Sequence, residues 1–208
     1  MNVSAMHSYD ILEGGTPLAE AGKAIILLHG RGADAGDIIW LADEFCDDTF
    51  YIATPYATNN AWYPHTFLAP EEQNEPWLTS AVQTVRRLIS DISVHVPQER
   101  IYLMGFSQGA CLSLETAARY AGRYAGIAAF SGGLIGERIR TEKYKGDFGG
   151  TKIFIGNSDT DPHIPVLRTN ESATVLKNLG ADITLKIYPG MAHTITKEEI
   201  EEVRKIMF

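Results

Sequence analysis

Residues Ile101-Tyr102-Leu103-Met104-Gly105-Phe106-Ser107-Gln108-Gly109-Ala110-Cys111-Leu112 decide how this chain folds. The first part is a near-continuous apolar run, the composition of a strand buried on both faces of a parallel sheet. The last part opens an alanine-rich helix, Ala110 to Ala121, with long side chains at Leu112 and Leu114. Between them stands Gly105-Phe106-Ser107-Gln108-Gly109. Glycines on both sides of the serine permit a strand-to-helix turn so sharp that a side chain there would meet neighbouring backbone. Such a turn lifts the serine oxygen out of the carboxyl end of the strand. It also sets that oxygen at a helix N-terminus, where the dipole favours developing negative charge. The pattern, in this context, reads as a nucleophile on an elbow.

Working outward, similar strand-like runs recur at Ala24–Leu28, Phe50–Thr54, Ile127–Phe130, Lys152–Ile155 and Ile183–Tyr188, with Tyr9–Leu12 as a short edge strand. Helices are expected over Asp37–Cys46, over Pro76–Val94, where Leu78, Val82, Val85, Leu88 and Ile92 recur at helical spacing, and over Glu171–Leu179, stopped by Gly180. A last helix opens with the capping-box pattern Thr196-Lys197-Glu198-Glu199 and turns Ile200, Val203 and Met207 inward. The alternation predicts an α/β fold: one domain over 1–208, a mostly parallel central sheet, helices on both faces, and no separate cap domain. Two segments break the alternation, Ala57–Glu75 and Leu134–Gly150, and both are expected over the site or at its rim.

Composition excludes several classes. With 45% hydrophobic and 21% charged residues in 208, the chain has ordinary globular usage. A net charge of −8 disfavours nucleic acid and anionic membrane surfaces as partners. Two cysteines, Cys46 and Cys111, exclude a disulfide framework and a four-cysteine zinc site. Both read as small core residues. The longest apolar run, Ala24–Leu28, is too short to cross a bilayer, and Met1–Asp10 has neither a basic head nor an apolar run. The expectation is a cytoplasmic protein with no membrane insertion.

A serine hydroxyl needs a base. In this fold the base follows the last strand, and His193 stands there in Pro189-Gly190-Met191-Ala192-His193. The acid follows the strand before it, where Gly156-Asn157-Ser158-Asp159-Thr160-Asp161-Pro162 offers Asp159 and Asp161; spacing alone does not choose between them. A tetrahedral oxyanion needs two converging amides. Gln108 supplies one, and Arg31, in the loop His29-Gly30-Arg31-Gly32-Ala33, is the candidate for the other. His29 is read as supporting that loop beside the substrate. The Arg31 guanidinium either reaches a substrate carboxylate or pairs with Asp34 or Asp37. Trp62, His65 and Phe67 form an acyl-pocket wall or a hydrophobic cover, and His163 lines the rim. No cofactor is expected. Gly30-x-Gly32 is not a dinucleotide fingerprint, and Asp159, Asp161 and His163 have no further ligand at metal spacing.

These motifs together make the sequence recognisable. His29-Gly30-x-Gly32, Gly105-Phe106-Ser107-Gln108-Gly109, Ser131-Gly132-Gly133, Asp161-Pro162-His163-Ile164-Pro165 and Gly190-Met191-Ala192-His193 resemble the phospholipase/carboxylesterase family of α/β-hydrolases. This is the small lidless group that includes acyl-protein thioesterases and bacterial carboxylesterases. The resemblance runs from about Ala24 to the C-terminus. Its Asp-Pro-x-Val/Ile-Pro pattern implies Asp161 as the acid, and it implies a cofactor-free hydrolase of short to medium acyl esters or thioesters. Arg31 stands where acyl-protein thioesterases usually have leucine, and Trp62–Leu68 with Gln73–Trp77 looks more like the bacterial branch. The expected function is hydrolysis of a small-molecule carboxylic ester through an acyl-enzyme on Ser107. The alternatives are a small-molecule-binding relative and, ranked lower because that group usually carries cysteine, a dienelactone-type lactone hydrolase. A homodimer stays open, since such enzymes are often dimeric.

Overall fold

The fold is described by a computed structural model for residues 6–208. Residues 1–5, the start of the segment expected to carry no signal, lie outside that description. Seven strands form one sheet in the order β1-β3-β2-β4-β5-β6-β7. They are β1 Ile11–Gly15, β2 Lys23–Leu28, β3 Phe50–Pro55, β4 Ile101–Phe106, β5 Gly126–Phe130, β6 Lys152–Ser158 and β7 Asp182–Tyr188. Every pairing is parallel except β1 against β3, where Ile11 lies opposite Pro55 and Gly15 opposite Tyr51. The helices are α1 Ala35–Ile38, α2 Glu71–Asn74, α3 Trp77–Ser93, α4 Gln108–Arg119, α5 Val166–Asn178 and α6 Lys197–Met207.

Strand side chains alternate between two apolar layers, as the pleat requires. On one face Ile26, Leu28, Leu103 and Ile155 pack with Leu78, Val82, Val85, Leu114 and Leu176, which come from α3, α4 and α5. On the other, Ile25, Leu27, Met104 and Phe154 pack with Ile38, Leu41, Ile200 and Val203, from the α1 region and α6. Each fully buried side chain of this size contributes roughly 1.5–3 kcal/mol, and both faces of the inner strands draw on it. The near-continuous apolar runs of β2, β4 and β5 have this cause.

The boundaries differ from the sequence reading where polar side chains intervene. The edge strand begins at Ile11 rather than Tyr9. The helix expected over Asp37–Cys46 starts at Ala35, because Asp34 accepts from the Gly36 amide at 2.7 Å while Asp37 accepts from the Asp34 amide at 2.9 Å. It then tightens into a 3₁₀ turn over Ile39–Glu44. α5 starts at Val166, behind Pro165, five residues before the expected Glu171. Its buried Arg168 donates to the carbonyls of Leu134, Gly136 and Glu137 at 3.1, 2.6 and 2.8 Å. Those bonds fasten Leu134–Gly150 away from the main cleft, which this segment does not line, contrary to expectation. Among the described residues no helix is long and apolar enough to cross a membrane.

α6 begins as the capping pattern predicts. Thr196 accepts from the Glu199 amide at 3.3 Å, and one Glu199 oxygen accepts from the Thr196 amide at 2.9 Å. The other oxygen, Oε1, is buried without a partner. Burial pushes the Glu199 carboxyl up to about 7 against hydrogen bonds from Thr196 that pull it down. The folded state therefore holds a proton that the unfolded chain has released, so this carboxyl destabilises the fold as pH rises from about 4.5 to about 7. Glu199→Gln is expected to flatten that segment of the curve and to raise the melting temperature relative to wild type most at pH 8, in parallel thermal melts from pH 5 to pH 8.

Candidate active site

The parallel strands bring their carboxyl ends to one edge, and the loops that follow β2, β4, β6 and β7 meet there. Ser107 joins β4 to α4 with φ 53° and ψ −115°, a backbone region that L-residues seldom occupy. The flanking glycines make the turn feasible: a methyl group on Gly105 would run into the Gly109 carbonyl, and one on Gly109 into the Leu28 carbonyl. The Ser107 amide donates to Phe130 O at 2.9 Å, and Ser107 O accepts from the Cys111 amide at 3.0 Å, so the strained residue is held from both sides.

His193 Nε2 lies 2.9 Å from Ser107 Oγ, and its Nδ1 lies 2.7 Å from Asp161 Oδ2. The second carboxylate oxygen of Asp161 accepts from the amides of His163 at 2.8 Å and Ile164 at 3.0 Å. Burial alone would raise the Asp161 pKa, but the bonds from His193 and from those two amides outweigh it and hold the carboxyl below its ordinary range. The imidazole stands between the Phe106 ring, 5.0 Å away, and the edge of His163, 4.8 Å away. Asp159 has a separate task. Its Oδ1 accepts from the Gly190 amide at 2.7 Å, which ties the loop carrying His193 to the loop carrying Asp161.

Gly30 sits close to the elbow: a methyl there would press on the Phe106 ring at 3.3 Å and meet the Ser107 Cβ at ordinary contact, 3.5 Å. Among the described residues no protein carbonyl accepts from the amides of Arg31 or Gln108. Both border a cavity of about 630 Å³ that also holds Ser107 and His193. Its buried lining comes from Tyr63, Phe67 and Ile164, and its exposed rim from Arg31, His65 and His163. Cys111 touches the inner end, and burial pushes its thiol up to about 12.

Two residues expected at the substrate are not there. His29 and Trp62 are fully buried and do not line the cavity. His29 Nε2 accepts from the Ala57 amide at 3.1 Å, so its Nδ1 carries the proton and donates to Gly30 O at 2.8 Å. Burial lowers its pKa, which keeps that neutral tautomer. The Trp62 indole N–H donates to His29 O at 2.9 Å, which draws the ring beneath the loop rather than toward the cleft. Arg31 does not pair with Asp34 or Asp37, whose carboxylates cap α1. Its guanidinium instead donates to the carbonyls of Tyr63, Pro64 and His65 at 2.8, 2.9 and 2.6 Å.

The role of the Gln108 side chain went unread in the sequence. Its Oε1 accepts from the Trp62 amide at 2.9 Å and its Nε2 donates to Tyr63 O at 2.9 Å. An amide side chain at the first position of a buried helix carries that signal, because it must find partners in both directions. Gln108 and Arg31 thus share the Tyr63 carbonyl and together pin the segment that walls the cavity.

A seven-stranded, mostly parallel sheet with Ser107 on a strained elbow after its central strand, and with Asp161 and His193 on later loops, is the α/β-hydrolase fold. The model of the phospholipase/carboxylesterase family matches residues 15–207, and the chain belongs to that family, one of carboxylic-ester and thioester hydrolases. It is similar to the crystal structure of a phospholipase/carboxylesterase from Dyadobacter fermentans, with 46% identity, a TM-score of 0.95, and coverage of 98% of this chain and 99% of that one. It is 28% identical to acyl-protein thioesterase 1 of Debaryomyces hansenii, over 88% of each chain. To acyl-protein thioesterase 1 of Gibberella zeae it is 33% identical over 119 residues, and the match spans only about half of that relative, 51%.

Gln108→Ala leaves the buried Trp62 amide without an acceptor. We expect a loss of about 1–3 kcal/mol in urea unfolding, with faster amide exchange concentrated around Trp62 and Tyr63.

Proposed function

We propose that this chain is a serine hydrolase that cleaves carboxylic esters of short to medium acyl chain, thioesters included, through an acyl-enzyme on Ser107. The observation that carries the reading is the unbroken hydrogen-bonded line Ser107–His193–Asp161 opening into the cavity. His193 takes the Ser107 proton as the oxygen adds to the substrate carbonyl, then gives that proton to the departing alcohol or thiol. It next deprotonates water, which adds to the acyl-enzyme, and it returns that proton to Ser107 Oγ as the acyl–oxygen bond breaks and the acid is released. Asp161 accepts from Nδ1–H throughout, which fixes the tautomer and stabilises the imidazolium. The amides of Arg31 and Gln108, lacking protein acceptors, serve the oxyanion of each tetrahedral intermediate.

The buried lining of Tyr63, Phe67 and Ile164 suits an acyl chain better than a polar group. His65 and His163 contribute to the rim that the substrate crosses. We read the enzyme as cofactor-free and cytoplasmic, acting on a small-molecule ester, with no nucleic acid partner.

A p-nitrophenyl ester series from acetate to laurate tests this. Wild type is expected to turn over the short and medium esters. Ser107→Ala should lose activity by roughly 10⁴-fold or more while staying folded, and Asp161→Asn should lose about 10⁴-fold in kcat by presenting the wrong tautomer. Turnover that survives Ser107→Ala would overturn the assignment.

A further inference from the structure

Within a chain of net charge −8, the cavity beside Ser107 is lined, among the described residues, by no aspartate and no glutamate. Its basic lining consists of Arg31, His65, His163 and His193, and its other titratable groups, Tyr63 and Cys111, are pushed up by burial, which keeps them neutral. Asp161 lies behind His193 and is bonded to it, and Asp34 and Asp37 are committed to the cap of α1. Arg31 is exposed and, among the described residues, has no carboxylate in salt-bridge range. Neutral carbonyls accept three of its N–H groups. They hold the guanidinium in place without cancelling its charge, and two of the five donors of such a group stay open. His65 and His163 on the same rim have no side-chain hydrogen-bond partner among the described residues. The cavity therefore combines an apolar interior with a fixed, uncompensated cation and two free imidazoles at its mouth.

Resting on the serine-hydrolase reading, we propose that the preferred substrates are esters that carry a carboxylate on one arm, held at the rim by Arg31 with help from His65 and His163. The carboxylate is a binding group only. Ser107 Oγ adds at the ester carbonyl, the alcohol leaves with the proton from His193, water then cleaves the acyl-enzyme and gives its proton through His193 to Ser107, and the substrate's own carboxylate emerges unchanged. A fixed cation discriminates in this way because an anion gains both Coulomb energy and a charge-assisted hydrogen bond, whereas an isosteric amide gains little of either.

The test compares matched pairs. Monoethyl adipate places the carboxylate on the acyl arm and 4-acetoxybutanoate places it on the alcohol arm; each is measured against its neutral monoamide by product release. For at least one arm, kcat/KM is expected to favour the anion by about tenfold at low salt, shrinking toward unity near 1 M salt, where the Debye length is about 3 Å. Arg31→Met should abolish the ratio. Arg31→Lys, which keeps the charge but breaks the three-carbonyl grip, should retain part of it. Ratios near one in both pairs, with p-nitrophenyl butyrate still hydrolysed, would sink the carboxylate preference and leave the esterase reading standing. A ratio indifferent to salt and to Arg31→Met would do the same. Failure to hydrolyse any of these esters would instead bring down the hydrolase reading, and this one with it.

Discussion

The turn at Ser107 is the constraint on which the rest of the molecule depends. A backbone held at φ 53° and ψ −115° costs of order 1–3 kcal/mol and survives only where surrounding structure leaves it no alternative. Here β4 is buried between β2 and β5, the Ser107 amide is bonded to Phe130, and α4 begins at once, packed on the sheet. Glycine at 105 and 109 removes the atoms that would otherwise collide with the Gly109 and Leu28 carbonyls. The strain is offset by a core built from both faces of the sheet, and its product is a hydroxyl standing clear at the carboxyl edge, where the five other parallel strands also end.

Around that serine, each reacting group is aimed by another that does not react. Asp159 joins the acid loop to the base loop through Gly190. Phe106 and His163 bracket the imidazole, and the amides of His163 and Ile164 hold the Asp161 carboxylate ionised. His29, Trp62 and Gln108 form a buried polar chain under the β2 loop, every link of which satisfies a backbone group. Gln108 and Arg31, whose amides face the cavity, also fasten its wall through the Tyr63 carbonyl. A shift of that wall therefore moves both amides, which, on the proposed mechanism, couples the shape of the cavity to stabilisation of the oxyanion.

Much of this was legible in the sequence because it rests on short-range rules. The apolar runs of β2 to β6 report burial on two faces. The Gly-x-Ser-x-Gly turn reports a close approach of backbones, and chain order in the fold points to His193 and to the loop holding Asp159 and Asp161, between which the family resemblance chooses Asp161. What stayed hidden depends on contacts between distant segments. Nothing local says that Trp62 turns inward, since that follows from the His29 carbonyl waiting beneath it. Arg31 read as the partner either of a substrate carboxylate or of its acidic neighbours, yet those neighbours cap α1 and leave three carbonyls, more than thirty residues away, to take its donors. Likewise Arg168, which stands ahead of the helix expected from Glu171, is the tether that holds the start of Leu134–Gly150 off the cleft.

The central claim is that Ser107 Oγ is the atom that becomes acylated, and a covalent probe addresses it most directly. A fluorophosphonate ester, which reacts with a serine only when an adjacent base and oxyanion donors activate it, would be added to the native protein and followed by intact-mass and peptide mass spectrometry. A single adduct per chain is expected, on the peptide containing Gly105 to Gly109 and at Ser107, formed in step with loss of esterase activity. An adduct at another residue, or undiminished hydrolysis by a chain fully labelled at Ser107, would contradict it.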